Sequence, residues 1–489
     1  MMPGETCELA IVGGGPAGLS AAVMASECGM DVCLVDEQPR LGGQIYRQPP
    51  VGFGVDAWLA GKIYRRGRAL LQRAERLASL RHLAQATVWG LFPSEPAAAA
   101  DEAGHHVLFE RDGEVGRLKA RHVLVATGCY EMPVPFPGWH LPGVMSAGGI
   151  QTLLKSQRIA AGRNVVLAGS HPLLLIAADQ LLQAGVRVSA VVFSQSMPVI
   201  ARALRSPAPL LGAFGQLLHA ASCLRRIRRA RVPLLFGHAV AEAIGSDAVE
   251  AVRVSRSDFH GASRLIACDA VGICYGFLVS SELARQTGAQ STWESASGWV
   301  VKTDAFLRTS VPGLSVAGEL IGVAGAEAAA LSGEIAALGI ARDLGRLSAG
   351  EAAMRSRAPR RRLGRMRRFA AVLNELSRPA PQVLHHLATP ATFLCRCEEV
   401  TVGALGDALR ADPTVGSASV AKLLTRVGMG MCQGRMCETA VRRLIGEYRG
   451  QALEDIEGYA PRAPVKPIPL AALAAQATGT PLDPRGRVA

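Results

Sequence analysis

Residues 7–18 read Cys-Glu-Leu-Ala-Ile-Val-Gly-Gly-Gly-Pro-Ala-Gly, and no other stretch says as much about the fold. Cys7 to Val12 is predicted as a short buried strand, and the alanine-rich run from Leu19 to about Cys28 as a helix. A second apolar strand, Val32 to Val35, ends at Asp36. GxGxxG therefore falls between strand and helix, with an acid about 20 residues further on. The glycines do different physical work. Gly13 permits a tight turn, Gly15 lets a pyrophosphate approach the backbone, and Gly18 lets the helix pack close to the sheet. The helix N-terminus offers free N–H groups and a positive dipole end to phosphates. Asp36 is expected to accept hydrogen bonds from a ribose hydroxyl, which disfavours a 2′-phosphate there.

Further along, Val123-Leu124-Val125-Ala126-Thr127-Gly128 is a β-run closing on a small-residue turn. Thr309 to Gly318 reads Thr-Ser-Val-Pro-Gly-Leu-Ser-Val-Ala-Gly, followed by Glu319 and a helix rich in glycine and alanine. With these motifs the chain resembles the two-dinucleotide-fold flavoproteins, the family of glutathione reductase and thioredoxin reductase. The resemblance, over residues 6–345, implies FAD on the first fingerprint. It places Gly43, Gln44, Thr127 and Gly128 beside the cofactor, and Gly318-Glu319 near the ribitol, where Gly-Asp is usual. A second strand, Asn164 to Leu167, runs into Ala168-Gly169-Ser170-His171-Pro172-Leu173-Leu174, a damaged fingerprint that keeps only Gly169. His171 stands where a glycine admits the pyrophosphate, and the following strand, Val186 to Phe193, ends in Ser194-Gln195 without an acid. The second fold is therefore expected to have lost ordinary NAD(P)H binding. No CxxC occurs, so disulfide reduction is not expected.

Near the C-terminus stand Cys395-Arg396-Cys397 and, after 34 residues, Cys432-Gln433-Gly434-Arg435-Met436-Cys437. Four thiolates in two close pairs are the donor set of a [2Fe–2S] cluster. Structural zinc is the competing reading, although zinc knuckles rarely open with C-x-C. Gly428, Gly430 and Gly434 free the backbone to turn amides towards sulfur, and Arg426 and Arg435 add positive potential. This segment resembles the [2Fe–2S] domain of bacterioferritin-associated ferredoxin. Taken with Asp36 to Arg47 (DEQPRLGGQIYR) and the broken second fingerprint, it resembles the FAD subunit of heteromeric amine dehydrogenases over residues 6 to about 450. That group includes hydrogen cyanide synthase, opine oxidase and hydroxyproline dehydrogenase. The resemblance implies a partner flavoprotein subunit of the D-amino-acid-oxidase type, often a small ferredoxin-like subunit, and oxidation of a C–N bond with electrons leaving to an acceptor other than NAD. The alternative is an NAD(P)H-dependent ferredoxin-type reductase, which needs an intact second fingerprint.

Composition bounds the rest. The 489 residues are 49% hydrophobic and 19% charged, enough for packed cores and too little charge for general disorder. No run of ~18 apolar residues spans a bilayer, and no secretory signal is read at the start of the chain, so a cytoplasmic location is expected, with peripheral contact to the inner membrane face left open. The net charge of +13 is concentrated: Gln180–Ala241 and Ala352–Asn374 each hold eight arginines and no acid. Such blocks suit a solvated face or a docking surface, whereas aromatics at 5% and not interleaved with them argue against nucleic acid. The expected α/β architecture has two Rossmann-like domains and a small helical [2Fe–2S] domain. Its divisions are residues 1–150 with 269–345 for FAD, 151–268 for the inserted second fold, a basic helical linker over 346–390, the cysteine module over 391–455, and a Pro/Ala-rich tail over 456–489 that wraps a neighbour or stays loose.

Overall fold

A computed structural model describes residues 5–50, 52–54, 64–94, 104–203 and 214–478. The chain forms two compact units, one drawn from Met1–Cys129, Val279–Arg367 and Pro461–Ala489, the other from Tyr130–Leu278 and Arg368–Ala460.

The first unit opens with β1 (Glu5–Val12), α1 (Pro16–Glu27), β2 (Val32–Val35), α2 (Arg65–Glu75), β3 (Leu80–Leu83), β4 (Thr87–Pro93), β5 (His105–Arg111) and β6 (Glu114–Val125). Its sheet runs β3-β2-β1-β6-β5-β4. β1 is parallel to β2 and β6, with Ile11 opposite Leu34 and Leu124. Continuous apolar runs such as Val32–Val35, buried at every residue, are what a parallel sheet covered on both faces requires. β4, β5 and β6 form an antiparallel meander, and β5 alternates buried and half-buried residues as a sheet with one wetter face does. α1 begins at Pro16, three residues before the predicted start, because proline's missing N–H and fixed φ suit the first helical position.

There follow β7 (Cys129–Glu131), β8 (Val144–Ser146), α3 (Ala147–Thr152), β9 (Asn164–Gly169), α4 (Leu173–Gln183), β10 (Arg187–Phe193), α5 (Met197–Ala203), α6 (Phe214–Arg229), β11 (Leu234–Phe236), β12 (His238–Ile244), β13 (Ala251–Arg256), β14 (Arg264–Ala267), β15 (Ala270–Cys274) and β16 (Phe277–Val279). The parallel sheet β11-β10-β9-β15-β8 is the core of the second unit. This unit begins at Tyr130, not at residue 151, because β8 pairs with β15 and carries the preceding segment with it.

The chain then returns through α7 (Glu282–Gln286), β17 (Ser291–Glu294), β18 (Gly298–Val301), β19 (Leu314–Val316), α8 (Ala326–Asp343) and α9 (Ala349–Leu376). β19 completes the first sheet beside β6. α8 lies so close to α1 that a Cβ on Gly333 would fall on the Ala17 carbonyl. α9 carries the second arginine block, and much of that block is used internally. Arg362 pairs with Glu327, Arg360 stacks 4.0 Å from the Phe306 ring centre, and Arg367 donates to the Ile321 carbonyl at 2.8 Å.

The last elements are α10 (Pro381–His386), β20 (Phe393–Cys395), β21 (Val400–Thr401), α11 (Val402–Ala411), α12 (Ala418–Thr425), α13 (Glu438–Arg449) and α14 (Leu470–Thr478). α11 and α12 start as hydroxyl-capped helices, the Thr401 and Ser417 oxygens accepting from Ala404 N at 3.1 Å and Val420 N at 3.2 Å. Leu394, Leu405, Leu409, Val415, Ile445 and Ile456 fill a small core between them. The tail does not behave as expected: where it is described, it packs on its own first unit. Val465 N donates to the Trp89 carbonyl at 2.8 Å, Lys466 pairs with Glu37, and Ile468 and Leu473 join Trp89 and Val115 in one apolar cluster. Apolar side chains among the prolines and alanines supply burial that composition alone does not reveal.

Candidate functional site

The loop between β1 and α1 shows why its three glycines differ. At Gly13, with φ +107°, a Cβ would stand 2.5 Å from the Ala126 carbonyl oxygen. At Gly18 it would overlap the Gly13 carbonyl, so this glycine lets the helix sit on the strand. At Gly15 nothing lies nearer than the Gly43 Cα, 3.9 Å away. Gly43 itself has φ +59°, and a Cβ there would approach the Gly15 Cα at 2.7 Å. Gly15 and Gly43 thus bound a cradle that side chains would fill. No side chain caps the first turn of α1, which leaves its N–H groups for an anion. The buried Asp36 carboxylate accepts from Gly14 N at 2.5 Å and Gln38 N at 2.6 Å. Burial pushes its pKa up and those two donors pull it back.

The remaining predicted residues adjoin this loop. Gly13 lies against Ala126 and Thr127. Thr127 Oγ1 donates to the Ser280 carbonyl at 2.6 Å, Ser280 N donates to the Gly128 carbonyl at 2.9 Å, and Gln44 Nε2 donates to the Cys129 carbonyl at 3.1 Å. Gly318, with φ +80°, packs against Ala17 and donates its N–H to the buried Ser332 hydroxyl at 2.7 Å. Glu319 uses its extra methylene to reach the start of α8, accepting from Ala324 N at 2.7 Å and Gly325 N at 3.0 Å. Burial pushes its pKa up to about 6 against those two donors. A glycine cradle, an uncapped helix N-terminus and an acid at the end of β2 suit an adenine dinucleotide, so the residues present fit FAD.

The second fingerprint loop is covered. Ser170 Oγ donates to the Ser377 carbonyl at 2.5 Å, and Gln195 Nε2 donates to the carbonyls of Ser170 and Leu376, each at 2.6 Å. The C-terminal end of α9 and the following Ser377 therefore lie against this loop at Ser170. His171 serves the turn: its Nδ1 accepts from Leu173 N at 3.1 Å, its ring meets Phe277 edge-on, and burial lowers its pKa to about 4, which keeps it neutral. Leu174 is fully buried in the second core. Elsewhere Cys33 is fully buried in β2, so it and the half-buried Cys28 form no accessible thiol pair.

The C-terminal module carries four free thiols, of which Cys395 and Cys437 are buried, Cys432 half-buried and Cys397 exposed. Cys395 interacts electrostatically with Cys437, and Cys432 with Cys397. The neighbouring Cys437, with help from the backbone N–H groups of Gly428, Glu398 and Cys397 nearby, brings the Cys395 pKa down to about 5. The Cys437 thiol is driven far up by the neighbouring Cys395 and by burial. Gly430 presses on Cys397, where a Cβ would overlap the cysteine's own. Of the two arginines expected to add potential, Arg426 pairs with Glu398 at 2.9 Å, while Arg435 donates to the Cys432 carbonyl at 3.2 Å. Among the described residues, no three or more His, Cys, Asp or Glu side chains group where they could hold a metal ion. The donor set nevertheless fits an iron–sulfur cluster chemically, being four thiols with backbone N–H groups turned on the sulfurs. Sequence reasoning misses Tyr459, whose hydroxyl lies 3.7 Å from the Cys437 sulfur. It belongs to the segment read as a tail, and only the neighbouring glycines hint at a ring needing room.

Residues 7–333 match the model of the pyridine nucleotide-disulphide oxidoreductases. The chain belongs to that family. Among curated proteins, this oxidoreductase is 35% identical to the A subunit of opine oxidase from Agrobacterium tumefaciens, over 96% of this chain and 91% of that one. It is 34% identical to hydrogen cyanide synthase subunit HcnB of Pseudomonas aeruginosa, over 94% and 97%. These matches bear out the resemblance to opine oxidase and hydrogen cyanide synthase subunits read from the sequence. Among solved structures, L-proline dehydrogenase from P. horikoshii shares the fold, with a TM-score of 0.65 and 19% identity over 96% of this chain and 79% of that one. FAD is the cofactor that this family and these relatives support. Among the described residues no helix is long and apolar enough to cross a membrane.

Proposed function

We propose that this chain is the FAD- and [2Fe–2S]-carrying subunit of a heteromeric dehydrogenase. The enzyme oxidises a C–N bond of an amino or imino acid and passes the electrons to an acceptor other than NAD. The observation that carries this reading is one small module bearing Cys395 paired electrostatically with Cys437 and Cys397 with Cys432, in a chain that also has an open dinucleotide cradle. When bound, FAD takes electrons in pairs and the cluster passes them singly. The chain's own residues do the holding. The first turn of α1 binds phosphate, Asp36 holds the adenosine ribose, and Gly318 and Glu319 border the ribitol end. Thr127, Gly128, Gly43 and Gln44 line the same loop. The opine oxidase relative and HcnB are each named as one subunit of a larger enzyme, which supports a multi-subunit assembly here. The fitting partner is a D-amino-acid-oxidase-like flavoprotein, with a small ferredoxin-like subunit beside it.

The competing NAD(P)H-dependent reductase needs an accessible second loop, and the end of α9 lies against it. Protein purified without air and mixed with NADH or NADPH is expected to keep its flavin oxidised. It should contain about two irons and two acid-labile sulfides per chain. Bleaching within seconds would restore the reductase reading, and zinc in place of iron would remove the electron relay.

A further inference from the structure

We infer that Tyr459 is a positioning residue for the thiol cluster, its hydroxyl setting the ease with which a centre held by Cys437 accepts an electron. The inference rests on the [2Fe–2S] reading of the four cysteines and goes beyond it to a residue outside the ligand set. The ring is almost fully buried, 8% exposed, and its place is made by two glycines. A Cβ on Gly428 would come 2.5 Å from the ring and one on Gly434 2.4 Å, and both glycines have positive φ, +85° and +83°. The segment bearing Tyr459 is anchored from both sides. Ala418 N donates to the Glu457 carbonyl at 2.9 Å, and the fully buried Arg442 donates to the carbonyls of Ile456 and Leu453, each at 2.7 Å. The hydroxyl is thus held and does not sweep through solvent.

Its hydrogen bonding changes with the state of the sulfur. The hydroxyl lies 3.2 Å from the Val427 carbonyl and 3.7 Å from the Cys437 sulfur. With Cys437 as a thiol, its one S–H proton has Cys395, the Gly434 carbonyl at 3.8 Å and the Tyr459 hydroxyl to choose from, and O–H donates to Val427. A sulfur bound to iron has no proton and only accepts, so the O–H proton then has the sulfur as well as the Val427 carbonyl as an acceptor. The sulfur carries the greater charge, and charge-assisted hydrogen bonds are roughly twice as strong as neutral ones. Charge on sulfur grows when the centre is reduced, so an O–H donor at Cys437 favours the reduced state. The tuning of such centres by hydrogen bonds to sulfur follows the same physics.

The test uses the full chain, purified without air, with iron and sulfide measured first. In Tyr459→Phe the ring stays and the proton donor goes. One cluster per chain should remain by visible and electron paramagnetic resonance spectra. At a fixed applied potential its reduced-to-oxidised ratio should fall about tenfold, a shift of ~59 mV for one electron. Incorporating 3-fluorotyrosine at position 459, at a pH where the phenol stays protonated, strengthens the donor and should shift the ratio the other way. An unchanged ratio in both proteins, or loss of the cluster in Tyr459→Phe, would overturn the tuning role. Absence of iron and sulfide from the unaltered chain would instead overturn the cluster reading itself.

Discussion

At Gly15 the missing side chain opens a space, whereas at Gly13 and Gly18 it prevents a collision, and this difference decides what substitutions do. A valine at Gly15 meets little protein and so should leave the fold standing. It would occupy the cradle beside Gly43, and flavin content in purified Gly15→Val is expected to drop at least about tenfold with little change in the far-ultraviolet spectrum. Full flavin absorbance in that variant would show that the phosphate path lies elsewhere. Gly18→Ala should behave differently, destabilising the apoprotein by roughly 1–3 kcal/mol because its Cβ has no room before the Gly13 carbonyl. All three glycines are legible in the sequence because one short spacing encodes them. The partners of Ser170 and Tyr459 are not, since Ser377 and Cys437 meet them only through the fold.

Among the elements, α8 packs on α1 with a glycine where helices normally prefer alanine. In a free helix Gly→Ala gains about 1 kcal/mol. At Gly333 the new Cβ would fall on the Ala17 carbonyl, so Gly333→Ala should instead cost roughly 1–3 kcal/mol and weaken the placement of Ser332 against Gly318 N. Thermal melts followed by flavin fluorescence would register this as a lower midpoint, and a raised midpoint would show that the helices separate easily. Periodicity and turn residues announce β1, α1, β2, β9 and β10 to within a few residues, because buried parallel strands read as continuous apolar runs. The register of β8 beside β15 is invisible there, since a three-residue strand has no period to detect. The fate of the arginine block on α9 is equally hidden: composition shows charge, while Glu327, Phe306 and the Ile321 carbonyl that receive it come from other elements.

For the molecule as a whole, the flavin cradle and the thiol cluster share no residue, so each should be removable without the other. Cys432→Ser is expected to abolish the iron–sulfur spectrum, leave flavin stoichiometry near that of the unaltered chain, and cut dye-linked activity of the assembled complex by at least about tenfold. Undiminished electron delivery in that complex would reduce the cysteines to a structural role. The chain's path through its units has a consequence for biosynthesis. β19 enters the centre of the first sheet after the whole parallel sheet of the second unit has been made, and residues 461–474 add their apolar layer to Trp89 later still. Domains commonly fold as their residues emerge, N-terminal portions first. Here the order is inverted at the close. The half that starts synthesis is finished last, and its glycine loop waits through the translation of roughly 300 residues before the strand beside β6 arrives. A chain ended near residue 460 would carry a complete thiol module and a flavin unit still short of its outer layer.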